Sequence, residues 1–326
     1  MSGEARAFWI AAPGRGALRP ATLPAPGADT VRVRTTASGV SAGTERLVFT
    51  GGVPASQYEL MRAPFQEGAF PAPVKYGYAA VGVVEGGAPA RHGERVFCLH
   101  PHQSAFVVPS AAAVPIPDGV PDRRAVLAAN METALNAVWD ARPLVGERVA
   151  VVGAGVVGLL VAHLLDRFGV APVLVDVDPA RGETAAALDL AFAPPDDAAG
   201  PFDLVVHASG APAGLVWTLE RLAFEGRVVE LSWYGDREVT LPLGAHFHSR
   251  RLRIESSQVG QVAAPMRARI DHRGRLERAL ALLDDARLDA LVGETVPFAE
   301  LPGFMAARSA GRRRVLCTRV TYDDEG

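Results

Sequence analysis

Two kinds of apolar spacing divide the chain. Up to about Pro121 the apolar positions alternate in short β-branched runs, "DTVRVRTTASGV" and "AAVGVVEGG", punctuated by "PAPGAD" and "FPAP". Alternation with period two marks strands with one face in a core, and the proline and glycine clusters mark their turns. Beyond Pro121 the period lengthens. In "DRRAVLAANMETALNAVWDA", Val126, Leu127, Met131, Ala134, Leu135 and Val138 recur at helical spacing. Apolar strands then alternate with helical segments, with strands predicted at 148–152, 172–176, 203–207, 227–231 and 251–256. That alternation predicts a parallel sheet with helices on both faces. A further amphipathic helix, "GRLERALALLDD", lines up Leu276, Leu280 and Leu283. The last stretch returns to strand, helix and strand and is predicted to rejoin the first region. The expected division is 1–120 with 288–326 in one domain and 121–287 in the other.

Composition narrows the partners. Against 36 acidic residues stand 33 basic ones, a net charge of −3, so there is no global electrostatic case for nucleic acid or an acidic membrane. The longest apolar stretch, around "RVAVVGAGVVGLLVAHLL", is split by glycines and is no membrane span. "MSGEARAFWIAAPG" lacks the basic start and apolar core of a signal peptide, so a cytoplasmic protein is expected. Cys98 and Cys317 lie in apolar, strand-like contexts and read as buried thiols. No Cys-x-x-Cys pair occurs, which excludes a cysteine-built structural zinc site.

The strongest chemical signal is "RVAVVGAGVVGLLVAHLLDRFGVAPVLVDVDPAR". Gly153, Gly155 and Gly158, with Val156 and Val157 among them, form Gly-x-Gly-x-x-Gly directly after an apolar strand and open an apolar helix. The glycines provide a tight turn, close backbone approach to a pyrophosphate and close packing of helix on strand. The anion meets the free N–H groups and positive end of the helix. Asp176 ends the next strand at the distance expected for an acid that hydrogen-bonds a ribose diol. A carboxylate there accepts from the 2′- and 3′-hydroxyls of NAD and repels the 2′-phosphate of NADP, so NAD is the expected cofactor and NADP the lesser one. Arg181 is placed either along the adenosine ribose or as a solvated helix-start arginine. Ser209 and Gly210 ("HASG") with Ser232 and Trp233 ("LSWYG") follow strand ends near which a dinucleotide lies.

With these segments in place the chain resembles the medium-chain dehydrogenases/reductases over nearly its whole length. "TVRVRTTASGVSAGTE" is similar to the family segment that carries a zinc-binding cysteine, and "KYGYAAVGVVEGG" to its Gly-His-Glu segment. "SGVSAGTE", "YGYAAVG", "ANMETALNAVWD" and "ESSQVGQ" resemble the subgroup that includes the hydroxyethyl-bacteriochlorophyllide dehydrogenase. The resemblance implies a Rossmann doubly wound sheet plus a strand-rich, GroES-like catalytic domain. Ser41, Tyr78 and Ala79 stand where zinc members carry Cys, His and Glu, and the third ligand falls near Ala129 and Asn130. A catalytic zinc needs about three protein donors, so the resemblance implies a zinc-free branch with no metal. His100 and His102 in "CLHPHQ", with Glu45 and Glu132, are the residues of a relocated metal site, should there be one.

Hydride transfer belongs to the nicotinamide, and the protein has one proton to move. Tyr78, in a metal ligand's place, is either the donor to the substrate oxygen or filler for a vacated site. Thr44 matches a family Ser/Thr relay, and Ser41 is its alternative. Glu45 matches an acid expected beneath the site, paired with an arginine. Glu132 reads as an acid/base or as a helix-start acid, beside Asn130 and Thr133. Arg313 matches an arginine reaching the pyrophosphate. Phe49, Tyr58, Phe65 and Phe70 suggest an apolar lid over a fairly large substrate, or an interface loop. The expected function is zinc-independent, NAD(H)-dependent interconversion of an alcohol and a carbonyl. The alternatives are reduction of an activated C=C bond and a non-catalytic nucleotide-binding paralogue. The expected partner is a small-molecule substrate, with a homodimer as the assembly allowed for.

Overall fold

The structure, a computed structural model, describes residues 5–311 and 315–322. It divides into two compact units: the chain up to Ala129 together with the chain from Leu276, and Asn130–Arg275 between them.

The second unit is built on six parallel strands in the spatial order Ala191–Ala193, Val173–Val175, Val149–Val152, Phe202–His207, Leu222–Glu230 and Arg253–Ser256. The first strand in sequence is central; the next two step to one side and the rest to the other. This doubly wound order has its switch point beside Val149–Val152, where open α/β sheets bind ligands at the strands' carboxyl ends. Ala150, Val152, Val205, Val228 and the helix residues Leu215 and Leu219 form one buried cluster. All five strands expected here are present, and Ala191–Ala193 is an additional short edge strand.

In the first unit, Thr30–Val40 pairs antiparallel with Ala80–Gly87, Ala105–Pro109 and Cys317–Thr321. Cys317–Thr321 in turn pairs parallel with Val292–Pro297, which is how the end of the chain rejoins the first region. Val31 and Val33 lie fully buried between half-buried neighbours, as period-two alternation requires, and pack with Val84, Val96 and Phe106. A second, four-stranded sheet holds Ala5–Ala12, Arg15–Ala21, Glu67–Gly68 and Val74–Lys75.

The units change over at 129/130 and 275/276, inside the helices Ala128–Ala141 and His272–Leu282, rather than at Pro121 and 287. Segments on both sides of the expected borders are tied within the first unit. Arg124, itself buried, donates to Asp289 Oδ1 from Nε at 2.9 Å and to Oδ2 from Nη2 at 3.0 Å. Among the described residues no helix is long and apolar enough to cross a membrane.

Candidate active site

The strand Val149–Val152 ends in Gly153, and the helix Val156–Arg167 starts with Gly155 as its N-cap. Gly153 has φ +106°, and a Cβ there would lie 2.6 Å from the Cα of Ser209. At Gly158 a Cβ would collide with the carbonyl oxygen of Gly153. At Gly155 it would meet nothing within 4 Å. The first and third glycines therefore serve the turn and the packing, while the second leaves open space before the helix N-terminus, as approach of a phosphate requires. Val156 is buried beneath that turn and Val157 half-buried.

Asp176 follows Val173–Val175 and holds the glycine loop. Its Oδ2 accepts the Ala154 N–H at 2.6 Å and its Oδ1 the Asp178 N–H at 2.9 Å. Val177 beside it is 84% exposed, so no cation stands at that position. Arg181 opens the helix Arg181–Ala187 and pairs with Asp178 at 3.6 Å.

The loops after Phe202–His207 and Leu222–Glu230 are tied together. His207 is fully buried; its Nε2 lies 2.7 Å from Ser209 Oγ and its Nδ1 2.8 Å from Glu230 Oε2. Ser232 Oγ accepts the Gly210 N–H at 3.0 Å, and the Ser232 N–H donates to Glu230 Oε1 at 2.7 Å. Burial alone would raise the Glu230 carboxyl; the hydrogen bond and charge of His207, helped by Ser232, hold it below the usual carboxylate range. Trp233 is half-buried in the same loop. Ser209, Gly210 and Ser232 thus stand at the switch point, next to Gly153. The His207–Glu230 pair that fixes them is not a motif and was absent from the sequence reading.

In the first unit Thr30–Val40 delivers Ser41, and the short helix Thr44–Phe49 delivers Thr44 and Glu45. The Ser41 N–H donates to Glu45 Oε1 at 2.7 Å. Tyr78 precedes the strand Ala80–Gly87, and the Ser41 and Thr44 hydroxyls act on its phenol. The three expected catalytic residues are thereby brought together. Burial, then the Glu45 carboxylate, push the Tyr78 phenol well above its ordinary pKa, while the hydroxyls of Ser41 and Thr44 pull the other way. Tyr78 is a neutral donor near pH 7. Its ring meets Tyr76 edge-on at 6.0 Å, Tyr76 meets Phe70 at 5.7 Å, and Phe70 meets Tyr58 at 5.9 Å.

Several expectations are corrected. Glu45 pairs with His102, not an arginine: its Oε2 lies 2.8 Å from His102 Nε2, and both side chains are buried. Phe49 is no lid; it is fully buried and stacked on Phe8. Glu132 is a brace rather than an acid/base, because it accepts from Arg275 Nε at 3.0 Å and both are buried. Arg275 gives its other donors to Asn136 Oδ1 and to the carbonyls of Gln261 and Val259. The His-x-His pair is divided. His102 spends both ring nitrogens, on Glu45 and on Ser38 Oγ at 2.7 Å, whereas His100 stacks on Phe106 with its Nδ1 2.9 Å from the Pro101 carbonyl. Arg313 lies outside the described residues.

No family model matches the chain. An uncharacterized zinc-type alcohol dehydrogenase-like protein of Haemophilus influenzae is 26% identical over 61% of this chain. The 2-desacetyl-2-hydroxyethyl bacteriochlorophyllide A dehydrogenase of Cereibacter sphaeroides is 28% identical over 76% of it. The matches span 58% and 79% of those relatives' own lengths. Among solved structures, an alcohol dehydrogenase of E. coli CFT073 complexed with NADH superposes with a TM-score of 0.76, covering 98% of this chain and 100% of the other at 17% identity. The chain is thus similar to alcohol dehydrogenase-like proteins and has the fold of a nicotinamide-dependent alcohol dehydrogenase.

At the positions where zinc-type relatives would carry their metal ligands, the residues do not fit zinc. Ser41 and Tyr78 would each have to lose a strongly held proton, and Ala79 carries no donor. Cys317 nearby has its thiol pushed up to about 12 by burial, then by Glu45. Among the described residues no three His, Cys, Asp or Glu side chains gather as a metal site requires.

Proposed function

We propose that this protein interconverts an alcohol and a carbonyl with NAD(H), and that the phenol of Tyr78 takes the part that zinc plays elsewhere in the family. The observation that carries the reading is the half-buried Tyr78 phenol, whose proton is held by burial and by Glu45 while the Ser41 and Thr44 hydroxyls act on it in the opposite sense. A bound nicotinamide supplies the hydride acceptor or donor. In reduction, Tyr78 hydrogen-bonds the carbonyl oxygen and gives it a proton as negative charge develops there. Ser41 and Thr44 stabilise the phenolate left behind and relay to it a proton taken up from solvent. In oxidation the same proton leaves the alcohol oxygen for Tyr78. The aromatic series Tyr76, Phe70 and Tyr58 favours a sizeable apolar substrate. Asp176 with exposed Val177 favours NAD over NADP, because a 2′-phosphate would face the Asp176 carboxylate and Val177 offers it no cation.

Tyr78→Phe tests this directly, since it keeps the ring and removes the hydroxyl. With a substrate whose hydride transfer limits turnover, the chemical step is expected to slow about a hundred-fold, with NADH affinity unchanged. Unmodified protein treated with a chelator keeps its activity. Full activity in Tyr78→Phe, or its loss on chelation with recovery by zinc, overturns the reading.

A further inference from the structure

The buried pair Glu45–His102 takes no part in the proton step above, yet it is connected on every side. His102 Nδ1 lies 2.7 Å from Ser38 Oγ, and Ser38 Oγ lies 2.8 Å from the Tyr322 hydroxyl. On the other side, Glu45 takes the His102 Nε2 contact on one oxygen and the Ser41 N–H on the other. One set of donors satisfies all of these groups. Tyr322 donates to Ser38, Ser38 to His102 Nδ1, and His102 Nε2–H to the Glu45 carboxylate.

The same ring touches the Tyr78 segment. Gly77, at φ +134°, has no side chain where His102 packs: a Cβ there would lie 2.9 Å from His102 Cδ2 and 3.0 Å from its backbone N. One imidazole thus abuts the peptide that carries Tyr78 and, through Glu45, holds the turn that carries Ser41 and Thr44. We propose that His102 and Glu45, backed by Ser38 and Tyr322, are positioning residues that aim the Ser41 and Thr44 hydroxyls at Tyr78. This rests on the reading of Tyr78 as proton donor. The charge acts in the same sense. The groups facing Tyr78 are the Glu45 carboxylate and the Thr44 hydroxyl from the short helix, Ser41, Tyr76 from its own segment and Cys317 from the C-terminal strand. After burial, Glu45 is the group that most raises the phenol.

The test is a double-mutant cycle between His102 and Tyr78, read as the rate of hydride transfer, with NADH affinity followed separately by fluorescence. His102→Ala is expected to slow transfer on the order of a hundred-fold, as misplacement of a reacting group does. His102→Gln, which restores a donor towards Glu45, should recover most of that. His102→Ala placed on Tyr78→Phe should add little, because both act through one hydroxyl. Glu45→Gln keeps the shape and removes the charge, so phenolate absorbance assigned to Tyr78 should appear at lower pH than in the unmodified protein. Should His102→Ala not fold, Ser38→Ala and Glu45→Gln carry the same cycle. Additive losses, or a phenol titration unmoved by Glu45→Gln, overturn the positioning role and leave Tyr78 as donor. No effect of Tyr78→Phe overturns both.

Discussion

The glycine loop of the second unit and the Tyr78 site of the first are built on opposite plans. The loop works by what it lacks: Gly153 and Gly158 have no room for a side chain, and Gly155 leaves space before the helix N-terminus. Its binding groups are backbone N–H donors, fixed as soon as strand and helix form. The Tyr78 site works by what it contains: buried Ser38, Glu45 and His102, with half-buried Ser41, Thr44, Tyr78 and Tyr322 around them. Each polar group there must find a partner or cost free energy on burial. The first plan is intolerant of added atoms. The second is intolerant of lost ones.

The glycines offer the sharpest way to break that comparison. Gly158→Ala should destabilise the second unit by about 4 kcal/mol or more, because the new methyl meets a backbone carbonyl that cannot yield. Gly155→Ala should fold normally and instead weaken dinucleotide binding. Urea denaturation and NADH titration separate the two; equal stability in both variants would undo the assignment of roles.

A loss at Glu132 comes next. Glu132→Ala leaves the Arg275 guanidinium buried without its carboxylate, and about 3 kcal/mol of stability should go with it. Activity per folded molecule should hold. Loss of turnover at unchanged stability would return Glu132 to the chemistry.

Asp176→Ala should narrow or invert the preference for NADH over NADPH, by roughly 1 to 2 kcal/mol, the scale of a charge-assisted hydrogen bond. Tighter NADPH binding by the unmodified protein would remove the NAD assignment.

The most gradual effect concerns acid. Burial lowers the His100 imidazole from 6.5 to about 3, so between these values the unfolded chain binds a proton that the folded one refuses. Stability from His100 is thus present above about pH 6.5 and declines as pH falls toward 3, with a slope of at most about 1.4 kcal/mol per pH unit. His100→Phe, which keeps a ring against Phe106, should flatten that part of a stability-versus-pH curve. An unchanged slope would place the acid sensitivity elsewhere.

The same contrast explains what could be read in advance. The sheet strands, the glycine turn and Asp176 were legible because they are set by neighbours in sequence: apolar period, a missing Cβ, and an acid one strand further on. The catalytic candidates Ser41, Thr44 and Tyr78 came from resemblance, and spacing alone would have passed over them. Glu45 was expected against an arginine because the resemblance implied one, and nothing in the sequence points to a histidine 57 positions away. Gly77 between two tyrosines was the one local sign that something packs there.

By itself the sequence determined the two textures of the chain, the parallel sheet and the nucleotide-type turn, since helix and strand periods and glycine's conformational freedom act over a few residues. Only the tertiary structure decided that Glu45 answers to His102, that Glu132 is spent on Arg275, and that Tyr322, 284 positions from Ser38, closes the network behind Tyr78. Those partnerships depend on which side chains burial leaves in need of a hydrogen bond, and burial is fixed when distant strands pair.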